Sequence, residues 1–135
     1  MYQRYQLSHA DAQRIIDTIR AVLERDQRGA AVAVVDMHGE LLAFLRTDGC
    51  KLPSITIAMN KAFTAAREQR DSFAIGESSR AKAWPMTNFG VPRYTAWGGG
   101  VPLRYQGQLV GAVGVSGLPE ADDIVLAQLG ATVVS

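Results

Sequence analysis

The stretch from Trp97 to Gly117 constrains this chain more than any other. Gly98-Gly99-Gly100 leads into Val101-Pro102-Leu103-Arg104-Tyr105, Gln106-Gly107 interrupts, and Gln108 to Ser116 resumes an apolar run broken by Gly111 and Gly114. Two strand-forming runs joined by two turn residues predict a β-hairpin. The glycines admit two readings. They mark a bulge and a strand on which a helix sits close, or they form a wall where backbone N–H groups and the Ser116 hydroxyl approach a ligand. Nothing fits G-x-G-x-x-G opening a helix or a Walker motif, so nucleotide binding is not expected.

The rest of the chain supplies helices and a second hairpin. Ser8 precedes Asp11 by three positions, a capping-box variant, and predicts a helix from about His9. Its apolar face is Ile15, Ile16, Ile19, Val22 and Leu23, at helical spacing. Ala30–Val35 reads as a strand buried on both faces and Leu41–Leu45 as its partner. Between them Asp36-Met37-His38-Gly39-Glu40 has turn chemistry, with Gly39 free to take positive φ. After Thr47-Asp48-Gly49, Pro53 suits a helix start and Ser54 could help cap it, in a helix running to about Gln69. Ala58, Ala62, Ala65 and Ala66 give that helix a face for close approach to a sheet or another subunit. The signals over 71–86 predict a helical turn or two, capped by Ser72 and closed before Trp84-Pro85. Residues 87–96 read as a loop ending in a short strand, and 120–134 as a final helix with Glu120, Asp122 and Asp123 at its dipole-positive end. Hairpins with intervening helices give an α+β fold, an antiparallel sheet flanked by helices.

With 135 residues, 47% of them apolar and 20% charged, the chain is expected to be one domain over 1–135 without a linker. Its 14 Lys+Arg against 13 Asp+Glu leave a net charge of +1 and no like-charge run, which argues against nucleic-acid or anionic-membrane partners. No signal-peptide pattern or bilayer-length apolar stretch is present, so a cytoplasmic location is expected. Cys50 is the single cysteine, and no Cys/His spacing resembles a metal site.

Few residues offer chemistry. Lys61, on the alanine-rich helix, is a candidate anion clamp or tuned base if partly desolvated; otherwise it snorkels or pairs with a carboxylate. Asp36, Asp48, Asp122 and Asp123 fall in turns or at a helix start, where carboxylates cap N–H groups. Asp48 could also meet Lys61 across the hairpin-to-helix connection, and such a pair would suit proton transfer beside a carbonyl. His9 and His38 are the only imidazoles, each a candidate axial ligand to heme iron or a solvated surface histidine. Met37, Phe44, Met59, Phe63, Phe89 and Trp97 could wall a heme or simply fill the core. Trp97, His38, Gly99, Gly100 and Ser116 are the candidate ligand contacts. Arg67 is expected to be solvated.

Four segments, VAVVDMHGELLAFLRTDG (32–49), SITIAMNKAFTAA (54–66), GGGVPL (98–103) and GQLVGAVGVSGLPEADD (107–123), resemble the GlcG/HbpS family of heme-binding-like proteins, which includes the C-terminal domain of PduO-type proteins. The resemblance implies a profilin-like fold, homo-oligomers that are often tetramers or octamers, and a place in small-molecule catabolic operons. Some members bind or degrade heme, and Lys61 matches the lysine of the family's KA-x-TA segment. Two functions follow: a cytoplasmic binder of heme or a related tetrapyrrole, or a metal-free lyase, hydrolase or isomerase in which Lys61 and the glycine-run amides hold a small carboxylate.

Overall fold

Helix α1 (His9–Arg25) begins where the capping box requires: the Ser8 hydroxyl accepts from the Asp11 N–H, and the Asp11 carboxylate accepts from the Ser8 N–H. The computed structural model describes residues 1–135. After α1 come strands β1 (Ala31–Asp36) and β2 (Leu41–Arg46), then helices α2 (Pro53–Glu68) and α3 (Ser72–Lys82) and a 3-10 turn at Met86–Phe89. Strands β3 (Gly100–Tyr105) and β4 (Gln108–Ser116) and helix α4 (Glu120–Ala131) complete the chain. The sheet order is β2-β1-β4-β3, every neighbour antiparallel, which is the α+β architecture that the two hairpins predict. No helix is long and apolar enough to cross a membrane.

The alternation of β1 explains how the layers stack. In Ala31-Val32-Ala33-Val34-Val35, Val32 and Val34 face one side and join Val113 and Val115 of β4 in a core with Ile15, Ile19 and Leu126 of α1 and α4. Ala31, Ala33 and Val35 face the other side, where with Ala112 they meet Ala58, Ala62, Ala65 and Ala66 of α2. One face therefore carries bulky residues and two helices. The other carries small residues and one helix pressed close.

Two glycines complete the small face. A Cβ on Gly114 would stand 2.2 Å from the Ala58 carbonyl oxygen and 2.7 Å from the Ala62 nitrogen, and one on Gly100 would stand 2.1 Å from the Lys61 carbonyl oxygen. Gly100 and Gly114 are register partners, so the α2 backbone from Ala58 to Ala62 lies directly on the β3–β4 pair. The packing reading of the glycine run thus holds at these positions.

Several local expectations need correction. Helix α3 spans eleven residues, not a turn or two, and Asp71 precedes it as N-cap. Ser72 does not cap; its hydroxyl donates to the Trp97 carbonyl and accepts from the Gly100 N–H, tying α3 to the start of β3. Ser54 does not cap α2 either, because it is already helical, and Leu52 precedes the helix. Residues 87–96 contribute no strand, and α4 stops at Ala131.

Replacement of Gly114 by alanine forces a methyl into helix backbone, which cannot yield as a side chain tip does, and should lower stability by about 2–3 kcal/mol. Gly107→Ala meets open space and only the cost of positive φ, about 1 kcal/mol. Urea unfolding of the two variants checks the difference; equal losses would contradict the close α2–sheet contact.

Candidate functional site

Because α2 lies flat on Gly100 and Gly114, the Lys61 side chain leaves the helix beneath the end of β4 and is only 3% exposed. Its ammonium donates to the Val115 carbonyl at 2.9 Å and to Asp123 Oδ2 at 3.0 Å. An ammonium carries three N–H donors, so one remains without a partner in the chain. Gly99 makes room for it. Its φ is +123°, and a Cβ there would stand 2.6 Å from the Val115 oxygen and 3.0 Å from Nζ. The Val115 N–H still donates to the Gly99 carbonyl at 2.9 Å, whereas the Val115 carbonyl turns to the lysine.

Asp123 sits in the first turn of α4 and is 2% exposed. Its second oxygen accepts from the Leu118 N–H at 3.1 Å. Burial pushes this carboxyl above the ordinary carboxylate range, although Lys61 and the Leu118 N–H pull it back toward ionisation. The pair thus joins α2, the end of β4 and the start of α4 through one buried ionic contact.

A cleft of about 480 Å³ opens onto this pair. Ser54, Ile57, Trp97 and Ser116 line it, with the exposed side chains of Lys51 and Glu120. Ser116 is 5% exposed, and its hydroxyl makes no hydrogen bond within the chain and opens onto the cleft. Ser54 is equally buried, with its hydroxyl beside the Cys50 thiol, which burial raises away from the reactive thiolate form. Trp97 is 59% exposed and offers a flat apolar wall.

The sequence candidates therefore separate. Lys61, Trp97 and Ser116 come together on the cleft. Asp48 does not join them: it lines a different groove with Arg46 and Thr47, and the carboxylate opposite Lys61 is Asp123. The reason is topological, since the antiparallel β4 delivers the start of α4, not the β2–α2 turn, to the lysine tip. Gly99 and Gly100 are packing positions beneath Lys61 and not part of the cleft wall. The Gly98 and Gly100 amides are already engaged, by Glu120 Oε2 at 2.8 Å and by the Ser72 hydroxyl at 2.9 Å.

His9, at the first residue of α1, and His38, in the β1–β2 turn, are exposed and lie off the cleft. The candidate heme walls disperse as well. Phe44 and Met59 pack on the alanine core, while Phe63 meets Tyr94 and Tyr94 stacks on Phe89. Only Trp97 among them reaches the cleft. Asp123 does hold an N–H at the helix start, that of Leu118, as expected of the acids there, and it also bonds Lys61, a contact the sequence spacing does not reveal. No local signal separates Asp123 from Glu120 and Asp122, which stand in the same first turn of α4.

Removing one partner of a buried ion pair strands the other, at about 3–5 kcal/mol. Lys61→Met should lose stability on that scale, and the double variant Lys61→Met, Asp123→Leu should recover most of it; chemical denaturation of all four combinations measures the coupling. No recovery would contradict the pairing. The pH dependence has a definite sign. Asp123 titrates higher folded than unfolded, so the folded state holds the extra proton and stability falls as pH rises through that interval. The stability of the native protein relative to Asp123→Asn should therefore decline as pH is raised from below the ordinary aspartate value. A constant difference across that range would contradict the raised value.

A sequence model of the family described as "Haem degrading protein HbpS-like" matches residues 7–132. Protein GlcG of Escherichia coli K12 is 35% identical over 116 residues, which cover 82% of this chain and 81% of GlcG. The crystal structure of a double mutant of HbpS from Streptomyces reticuli aligns over 100% of this chain and 91% of its own, with a TM-score of 0.88 and 30% identity. The structure of PduOC in complex with heme aligns over 97% of this chain and 96% of its own, with a TM-score of 0.89. At 22% identity that likeness concerns the fold alone. By family model, sequence and fold together, the chain belongs to the HbpS-like family, the GlcG/HbpS group that its sequence motifs resemble.

Proposed function

We propose that this chain is a small-molecule-binding protein whose ligand site is the cleft above Lys61, and that the group held there is the carboxylate or carbonyl oxygen of a small compound. The observation that carries this reading is the buried ammonium with one N–H free, beside the unpartnered Ser116 hydroxyl, on a cleft of about 480 Å³. A charge-assisted N–H and a hydroxyl converging on one space suit an anionic or polarised oxygen. Trp97 supplies the apolar wall for the remainder of the molecule. The glycine-run amides are not the grips, since Glu120 and Ser72 hold two of them.

The same geometry supports proton transfer next to a carbonyl. Asp123, raised by burial and 3.0 Å from Nζ, can hold a proton at pH values where an ordinary aspartate has lost it. A lyase, hydrolase or isomerase of a small carboxylate would draw on that pair.

A second reading, heme binding, draws its support from the family description. Heme does not fit the Lys61 cleft, where no imidazole, thiol or thioether stands and the floor is a buried ion pair. The chain's two imidazoles, His9 and His38, are exposed, so a heme held by either would sit at the surface of the single chain. We also propose a cytoplasmic homo-oligomer, a tetramer or octamer, in which partner copies cover exposed apolar groups such as Leu52 and Val125.

Calorimetric titration with pyruvate and glycolate tests the first reading. The native protein should bind at least one of them, and Ser116→Ala should weaken it by about threefold to tenfold, the usual value of one hydrogen bond. Binding indifferent to Ser116, or none, would remove the cleft from consideration. Hemin titration followed in the Soret region tests the second, with loss of the signal expected in the variant lacking both His9 and His38.

A further inference from the structure

A separate cluster of donors stands at the C-terminal end of α2, away from the cleft. Phe63 is 2% exposed, and two guanidinium groups lie against its ring: the Arg67 Cζ is 4.7 Å from the ring centroid and the Arg93 Cζ is 4.0 Å from it. The two guanidinium carbons are therefore no further apart than the sum of those distances. Neither arginine has a carboxylate within ion-pair reach. Arg67 donates one N–H, from Nε, to the His38 carbonyl at 2.6 Å, and Arg93 makes no hydrogen bond in the chain.

Two like charges against one ring repel, and the fold offers features that offset the cost. The α2 C-terminal carbonyls and the Phe63 face both attract cations, and Arg104 already serves the same helix end through the Gln69 carbonyl at 2.8 Å. The nearby acid, Glu68, is close enough to act on Tyr94 but is not paired with either arginine. Most of the N–H donors of two rigid forks are left over. Beside them runs an aromatic ledge: Tyr94 packs edge-on to Phe63, stacks on Phe89 at 4.1 Å, and Phe89 meets Trp84.

We propose that Arg67 and Arg93 form a receptor for the two carboxylates of one dicarboxylate ligand, whose body rests on the Tyr94–Phe89 ledge. A planar fork matches a carboxylate through two parallel hydrogen bonds, and Arg93 has its whole fork free for this. Arg67 keeps its terminal nitrogens for the second carboxylate while its Nε anchors the His38 turn. The same chemistry is found in small aliphatic diacids and in porphyrins with two propionate arms. This site is independent of the reading of the Lys61 cleft.

Calorimetric titration with succinate and, separately, with iron-free protoporphyrin IX distinguishes the sources. Native protein should bind at least one. Arg93→Gln should weaken that binding about tenfold, the loss of one charge-assisted contact, and the Arg67→Gln, Arg93→Gln double variant should abolish it. Arg93→Lys, which keeps the charge but not the fork, should fall between native and Arg93→Gln. The component of binding that the double variant loses belongs to this site, and a component that it retains belongs to the cleft. Arginine-dependent binding of protoporphyrin alone identifies a porphyrin diacid, and of succinate alone a free diacid. Binding of neither, or binding insensitive to both arginines, would overturn the proposal.

Discussion

The architecture depends on how closely one helix can approach a sheet. Backbone can meet backbone only where side chains are small or absent, and the facing surfaces of α2 and the β1–β4–β3 strands are mostly alanine and glycine, with Val35 among them. With Gly100 and Gly114 in register under the Ala58–Ala62 segment, α2 has one position along the sheet in which its carbonyls are not obstructed. That position sets where Lys61 emerges. The bulkier valine face, filled by α1 and α4, has no comparable restriction on its spacing.

From this contact the charge arrangement follows. A lysine emerging under the end of β4 has to satisfy its ammonium within the protein, because water reaches little of it. The Val115 carbonyl is available since Gly99, at φ +123°, leaves the regular ladder, and Asp123 arrives from α4 to balance the charge. Asp123 in turn holds the Leu118 N–H at the entry to α4. A single polar cluster therefore ties three elements together, and the residual N–H is the feature that gives the cleft chemical character. A structural role and the proposed ligand-binding role do not compete here, because the same bonds that fix the ammonium would also orient its free donor.

Much of the fold was legible because its signals are local. The Ser8–Asp11 box, the Asp36 carboxylate accepting from the His38 and Glu40 N–H groups, and the Gln106-Gly107 turn each act within a few residues. The small and β-branched run of β1 and the alanine spacing of α2 were equally visible, and the latter singled out Lys61. Its partner was not, because Asp123 lies 62 residues away and only the strand order brings it near, whereas Asp48 looked plausible by sequence proximity. Helix α3 was underestimated because Ser72, Gly76, Ser78 and Ser79 are weak helix formers, and tertiary contacts decide its length: a Cβ at Gly76 would stand 2.0 Å from the Ala96 carbonyl. Ser72 reads locally as a cap but is drawn instead to Trp97 and Gly100.

The functional account rests on the free N–H of Lys61 facing a ligand. Hydrogen-bonded, buried ammonium groups exchange slowly enough with water for their side-chain nitrogen and hydrogens to be followed by NMR, and Lys61 is the one buried lysine. Heteronuclear spectra of the lysine Nζ resonances during titration with pyruvate address the claim at the atom concerned. The account predicts a saturable shift of the Lys61 Nζ signal, with the exposed Lys51 and Lys82 signals moving little. A Lys61 resonance that stays fixed while the ligand binds elsewhere would contradict it.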